Sequence, residues 1–91
     1  MNIEFSKKGW EDFEYWLETD LETVNKIREL VKSIKQSPFS GVGKPEPLKH
    51  DLKGFWSRRI SGEHRLVYQI SGTRGSDQKC SIIQCRFHYT E

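Results

Sequence analysis

The order of patterns along the chain predicts an α+β fold, an antiparallel-dominated sheet with two N-terminal helices packed on one face. Three observations carry this. Two amphipathic helical stripes follow one another before residue 37. Three runs rich in β-branched and aromatic residues fill 55–87. A loop punctuated by glycine and proline separates the two halves.

Taken in order, residues 2–6 (NIEFS) alternate weakly and predict a short first strand. Ser6 can then cap a helix. In that helix Trp10, Phe13 and Leu17 recur at i, i+3 and i+7, with Trp16 and Glu14 flanking, and predict one aromatic, core-facing stripe. Thr19 and Asp20 interrupt it. Either can cap a second helix, and Thr19 with Glu22 has capping-box spacing. Val24, Ile27, Leu30, Val31 and Ile34 carry the second stripe to about Gln36.

In the segment 37–47 (SPFSGVGKPEP), Pro38, Gly41, Gly43, Pro45 and Pro47 forbid a regular element. The X-Pro steps push Lys44 and Glu46 away from the helical region. The loop thus presents an acid, Glu46, fixed between two prolines. Strands are expected at 55–60, 65–70 and 80–87, the first two joined as an antiparallel hairpin through SGEH. A three-residue turn at 61–63 would set Arg59 opposite Arg65. Alternation then places Ser57 and Arg59, then Arg65, Val67 and Gln69, then Gln84, Arg86 and His88, on a polar face away from the helices. Leu66, Tyr68 and Ile70 turn to the core.

The 91 residues suit a single domain, 1–91. Hydrophobic residues make up 34% and charged residues 31%, enough for one modest core and too polar for a membrane protein. Residues 1–10 lack the apolar run of a secretory signal, so a cytoplasmic location is expected. Cys80 and Cys85 are too few for a disulfide scaffold and fall on one expected strand, so they read as unpaired strand residues. Residues 1–36 hold six Lys/Arg against eight Asp/Glu, whereas 37–91 hold nine against five. That split suits a polyanion partner for the second half, and equally fits ordinary surface variation.

Nucleotide-fold phosphate loops are excluded, because GVGKPEP lacks the GK[ST] ending and contains prolines. His50, His64, His88 and the two cysteines lack metal-ligand spacing, so neither metal nor cofactor is expected. What remains is an acid, several arginines and a C-terminal histidine. Metal-free RNA cleavage needs a base for the 2′-hydroxyl, an acid for the leaving 5′-oxygen, and a cation for the charge that builds on phosphorus. Glu46 can be the base, His88 the acid, and Arg65 with Arg59 the cations. Tyr89 can stack on a base or position the phosphate, and Lys49 and Lys53 can meet the backbone. The product would be a 2′,3′-cyclic phosphate. Each residue also has a plain reading. Glu46 can be a solvated acid or an ion-pair partner of Arg59, the arginines can be surface solubilisers, and His50 and His64 read as loop and turn residues. His88 lies where chain ends fray, although Phe87 and Tyr89 offer anchors.

Four strings, KPEPLKH (44–50), GFWSRRI (54–60), EHRLVY (63–68) and CRFHY (85–89), resemble the YoeB-type (Txe) toxins of the RelE/ParE toxin–antitoxin superfamily. SxxxWxDFxYW at 6–16 and ETDxxTVxKIxEL at 18–30 extend the resemblance over nearly the whole chain. It implies a RelE-like, microbial-RNase-like fold and a ribosome-dependent endoribonuclease that cuts mRNA in the decoding site without metal. By resemblance Glu46 is the general base, Arg65 the phosphate ligand and His88 the general acid. Tyr89, Arg59 and Glu63 support the substrate, and Lys49 meets RNA phosphate. The implied partners are the 70S ribosome with mRNA, a YefM/Axe-like antitoxin, a second copy in a homodimer, and operator DNA for the toxin–antitoxin complex. One departure is the long connection SGTRGSDQK (71–79), where the family pattern is shorter. Another is the extension past the HY pair, where Glu91 would raise the His88 pKa if it lay close. Two other functions fit the residues less fully: a ParE-like gyrase-directed toxin, and a non-catalytic module that binds RNA or protein.

Overall fold

The computed structural model describes residues 1–89. The chain runs β1 (Asn2–Phe5), α1 (Lys7–Thr19), α2 (Leu21–Gln36), β2 (Glu46–Pro47), a 3-10 turn (His50–Leu52), β3 (Trp56–Arg59), β4 (Arg65–Ser71) and β5 (Lys79–Gln84). The five strands form one sheet in the order β1-β5-β4-β3-β2. Only the β1–β5 pair is parallel; the other three are antiparallel. Among the described residues no helix is long and apolar enough to cross a membrane. Thr90 and Glu91, and with them the expected influence of Glu91 on His88, lie outside the described residues.

Ser6 caps α1, its Oγ accepting from the Gly9 N–H at 3.0 Å. The buried stripe of α1 differs from the expected one. Gly9, Asp12 and Trp16 face inward, while Trp10 and Leu17 are 45% and 44% exposed. The reason is close contact with β5. A Cβ on Gly9 would stand 2.3 Å from the Ile82 carbonyl oxygen, so only glycine allows this approach. Asp12 accepts from the Cys85 N–H at 3.0 Å and so satisfies backbone that the strand leaves unpaired. Trp10 and Phe13 pack instead with Phe5 at the sheet edge.

The helix break is set by Asp20, not Thr19. The Asp20 carboxylate accepts from the N–H groups of Glu22 and Thr23, and from the Thr23 hydroxyl at 2.9 Å. Those bonds, the Thr23 hydroxyl foremost, hold its pKa below the ordinary value. Thr19 turns back, donating to the Tyr15 carbonyl at 2.7 Å. The second stripe is as expected: Val24, Ile27, Leu30 and Ile34 are buried with Leu66, Tyr68, Ile82, Cys80 and Cys85. Each such aliphatic side chain contributes roughly 1.5–3 kcal/mol on burial.

The hairpin register is also the expected one, with Arg59 opposite Arg65 and Ser57 opposite Val67. The last strand is shorter than expected and ends at Gln84. Arg86 therefore does not continue the polar face; its guanidinium lies 3.5 Å from the Tyr15 ring centroid on α1. Ser57 and Val67 are buried, so the face away from the helices is partly covered. The 71–79 connection closes on itself, the Thr73 N–H donating to Asp77 Oδ1 at 2.8 Å.

Arg58 has no counterpart among the expectations. Paired with Leu66 on the helix side, it is fully buried. Its Nε donates to Tyr68 Oη at 3.1 Å. Its Nη1 donates to Ser33 Oγ (2.8 Å) and the Val42 carbonyl (3.0 Å). Its Nη2 donates to the Ser37 and Ser40 carbonyls, both at 2.7 Å. All five N–H donors of the guanidinium are thereby used. Replacing Arg58 by Met should lower stability by about 3–5 kcal/mol, since the Tyr68 hydroxyl, Ser33 Oγ and three loop carbonyls lose their partner together. Urea unfolding measures this, and an unchanged midpoint would contradict it.

Burial pushes the thiols of both Cys80 and Cys85 up to about 12, and the Asp12 carboxylate adds to the rise at Cys85. At pH 8 both should ignore an aromatic disulfide reagent until denaturant is added. Rapid labelling of the native protein would show that the core is open.

Candidate active site

The first contributor to the site is a strand the sequence did not announce. Glu46 and Pro47 form β2 at the sheet edge, Glu46 paired with Ser57 and Pro47 with Trp56. Proline is tolerated there because an edge strand has one unpaired side. Strand spacing puts Glu46 about 4.8 Å from Ser57 in backbone terms, on the same face. Arg59 lies two residues along that face, and Arg65 sits opposite Arg59. Register alone thus gathers a carboxylate, a hydroxyl and two guanidinium groups.

The loop that delivers Glu46 is held from below. Arg58 fixes the carbonyls of Ser37, Ser40 and Val42, and the Tyr68 hydroxyl, which accepts from Arg58, donates to the Pro38 carbonyl at 2.7 Å. Burial raises the Tyr68 pKa, so the hydroxyl remains a donor. Gly43 (φ +85°) passes between Leu30 and Arg58, and its carbonyl accepts from the Arg59 N–H at 2.7 Å. Lys44 follows with φ +52°, a strained value for a side-chain-bearing residue that costs about 1–3 kcal/mol. Lys44 thus leaves the right-handed helical region, but to positive φ and not to the extended region that an X-Pro step favours, and it turns the chain into β2.

Arg65 is 9% exposed. Its Nη1 donates to the Ser61 carbonyl at 2.7 Å and to the His64 carbonyl at 3.1 Å. One end of the fork is therefore fixed by backbone, which leaves the other nitrogens for a ligand. The segment after β5 is tied down equally well. The Trp16 indole N–H donates to the Cys85 carbonyl (2.8 Å), and Gln84 Nε2 donates to the carbonyls of Arg86 (3.0 Å) and His88 (3.0 Å). The Arg65 N–H donates to the Phe87 carbonyl at 3.1 Å. Phe87 has φ +64°, which bends the chain so that His88 and Tyr89 return to the face bearing Glu46. The Ser57 hydroxyl donates to Tyr89 Oη at 3.3 Å.

These elements enclose a cleft of about 220 Å³ lined by Lys44, Glu46, Ser57, Arg59, Arg65, His88 and Tyr89. Five of the eight residues singled out from sequence meet here: Glu46, Arg59, Arg65, His88 and Tyr89. Glu63 is exposed in the hairpin turn, and Lys49 and Lys53 lie exposed on either side of the 3-10 turn; none of the three lines the cleft. Lys44 and Ser57 do line it, and sequence reading gave them no role. Ser57 was detectable, since alternation placed it beside Arg59. Three cationic side chains and an imidazole against one carboxylate suit an anionic ligand. A carboxylate, an imidazole and a guanidinium on one cleft are the parts that acid–base chemistry at a phosphodiester requires. A larger groove of about 330 Å³, walled by Ile3, Phe5, Phe13, Ile27 and Val31, is apolar and rimmed by Arg28, Lys32 and Lys35. It holds no such acid–base pair.

The family model for YoeB-like toxins of bacterial type II toxin–antitoxin systems matches residues 5–89. Toxin YoeB of Escherichia coli K12 is 52% identical over 89 residues, covering 98% of this chain and all of the relative. The structure of a YoeB/ParE toxin from Agrobacterium tumefaciens superimposes with a TM-score of 0.92 at 49% identity, covering 98% of this chain and 100% of that one. A YoeB dimer and a YoeB–YefM complex from Staphylococcus aureus each superimpose at 0.86, with 44% and 42% identity and 98% coverage of both chains. The helix pair, the mixed five-stranded sheet and these likenesses agree: the chain has the RelE-like fold and belongs to the YoeB toxin family of toxin–antitoxin systems.

Proposed function

We propose that this toxin is a ribosome-dependent mRNA endoribonuclease that acts as one domain, 1–91, in the cytoplasm. The observation that carries the reading is the convergence of Glu46, Arg65 and His88 on one small cationic cleft. In the proposed reaction the Glu46 carboxylate removes the proton of a 2′-hydroxyl. The 2′-oxygen attacks the adjacent phosphorus, and charge building on the phosphoryl oxygens is met by Arg65, with Arg59 beside it. The P–O5′ bond breaks, and protonated His88 gives its proton to the departing 5′-oxygen. The products are a 2′,3′-cyclic phosphate and a 5′-hydroxyl. The reaction uses side chains alone and no metal.

Tyr89 positions the nucleotide against the cleft wall. Glu63, Lys49 and Lys53, outside the cleft, serve the wider RNA or ribosome surface. The open cleft sits on a small protein that can hold a flexible message only loosely, so the 70S ribosome supplies orientation of the codon in the A site. The dimer and YefM complex among the related structures support a homodimer and a YefM-like antitoxin for this chain. Operator DNA, bound by the toxin–antitoxin pair, is the partner that the sequence resemblance implies.

Mapping mRNA 3′ ends in a reconstituted translation reaction tests the reading. Cleavage should be confined to the decoding site and be far slower on free RNA. Glu46→Gln and His88→Gln should each slow it by about 10²–10⁴-fold while ribosome binding persists. Wild-type rates in both variants would refute the mechanism. Intact message with translation blocked would make the protein a binding inhibitor.

A further inference from the structure

His64 reads from sequence as a plain turn residue, yet it is the meeting point of three parts of the fold. Its main-chain carbonyl accepts from the Ile60 N–H (3.0 Å) and from Arg65 Nη1 (3.1 Å), closing the β3–β4 hairpin. Its ring stands edge-on to Trp16, with centroids 4.8 Å apart and planes at 79°. Its Nδ1 accepts from the Phe87 N–H at 2.7 Å. In that last bond Nδ1 serves as the acceptor.

The residue held by this bond is the strained one. Phe87 has φ +64° and is 52% exposed, so little side-chain burial maintains that conformation. Hydrogen bonds to its main-chain N–H and carbonyl do so instead. The Phe87 carbonyl accepts from the Arg65 N–H at 3.1 Å, and the Phe87 N–H is taken by His64. His64 thus holds the amide immediately before the His88 residue that lines the cleft. His64 itself is not among the residues that line the cleft.

We propose that His64 is a positioning residue: its Nδ1 holds the Phe87 amide and so aims His88 into the cleft next to Arg65. The inference rests on the nuclease reading given above. Without the acceptor, the Phe87 N–H has no partner in the cleft wall, the left-handed turn relaxes, and the general acid swings away. Misplacement of a reacting group by about 1 Å is enough to cost roughly 10²-fold in rate.

Two variants separate the bond from the packing. His64→Phe keeps an aromatic ring against Trp16 and removes the acceptor. His64→Asn loses the ring, and its Oδ1 stands where Nδ1 stood. In single-turnover cleavage on programmed ribosomes, His64→Phe should lower the maximal rate constant by about 10²-fold with the half-saturating ribosome concentration unchanged, and His64→Asn should recover to within about tenfold of wild type. Equal, wild-type rates in both variants would overturn the proposal. So would a loss in His64→Asn that matches or exceeds the loss in His64→Phe, because only His64→Asn keeps an acceptor for the Phe87 N–H; full activity in His64→Phe with loss in His64→Asn would assign the role to ring packing. A folding failure of His64→Phe does not remove the test. In ¹⁵N-labelled wild-type protein, a through-hydrogen-bond scalar coupling between the Phe87 amide nitrogen and His64 Nδ1 should be present, and its absence overturns the proposal. Wild-type protein that leaves ribosome-bound message intact fails the nuclease reading itself, before any variant is compared.

Discussion

The guanidinium of Arg58 lies inside the protein, and its five N–H groups meet five oxygens. Two of those oxygens, Ser33 Oγ and the Ser37 carbonyl, belong to the last turn of α2 and its cap, the negative end of that helix. Two more, from Ser40 and Val42, belong to the loop that leads to Glu46. A buried cation without a carboxylate is costly unless its hydrogen bonds are complete. Here they are complete only when helix, loop and sheet occupy these positions together. The requirement converts an eleven-residue segment with three prolines and two glycines into a fixed wall. Without it, Glu46 would ride on a chain free to sample many conformations, and the role proposed for it needs one.

The opposite wall is built by similar means. A C-terminal segment usually frays. Here side chains from α1, from β5 and from the β3–β4 turn each hold backbone atoms in 85–88, through Trp16, Gln84 and His64. Arg65 joins the two walls, since its side chain is fixed by the turn and its N–H by Phe87. Both approaches to the cleft pass through left-handed, non-glycine residues, Lys44 and Phe87. Such conformations persist only where surrounding bonds over-determine them. Strain next to both the acid and the histidine fits a site in which placement matters more than local stability.

Much of this was legible in the sequence, and the failures have identifiable causes. Period-two alternation and a short turn sufficed to set Arg59 against Arg65, because register in a half-buried hairpin leaves little choice. The α2 stripe was equally plain. The α1 stripe misled, because aromatic residues outrank glycine and aspartate in any hydrophobic pattern. The contact with β5 in fact needed a residue with no side chain at Gly9 and a carboxylate at Asp12. Arg58 was invisible for a related reason. One arginine in WSRRI looks like the other, and only tertiary packing decides which is buried. The cleft residues are recognisable as residue types, whereas Lys44 is marked in the sequence only by the backbone constraint of the proline after it. His64 escaped because a turn histidine carries no signal of what its ring will accept.

The chemistry leaves its signature on the product. If Glu46 activates the neighbouring 2′-hydroxyl and His88 protonates the leaving oxygen, the fragment upstream of the cut must carry a cyclic phosphate. The most direct measurement is mass spectrometry of the 3′ end of that fragment, released from a ribosome-bound message of defined sequence. A 2′,3′-cyclic phosphate, with a 5′-hydroxyl on the downstream piece, is the expected result. A 3′-hydroxyl paired with a 5′-phosphate would mean that water, not the 2′-oxygen, attacked phosphorus, and would contradict the roles assigned to both residues.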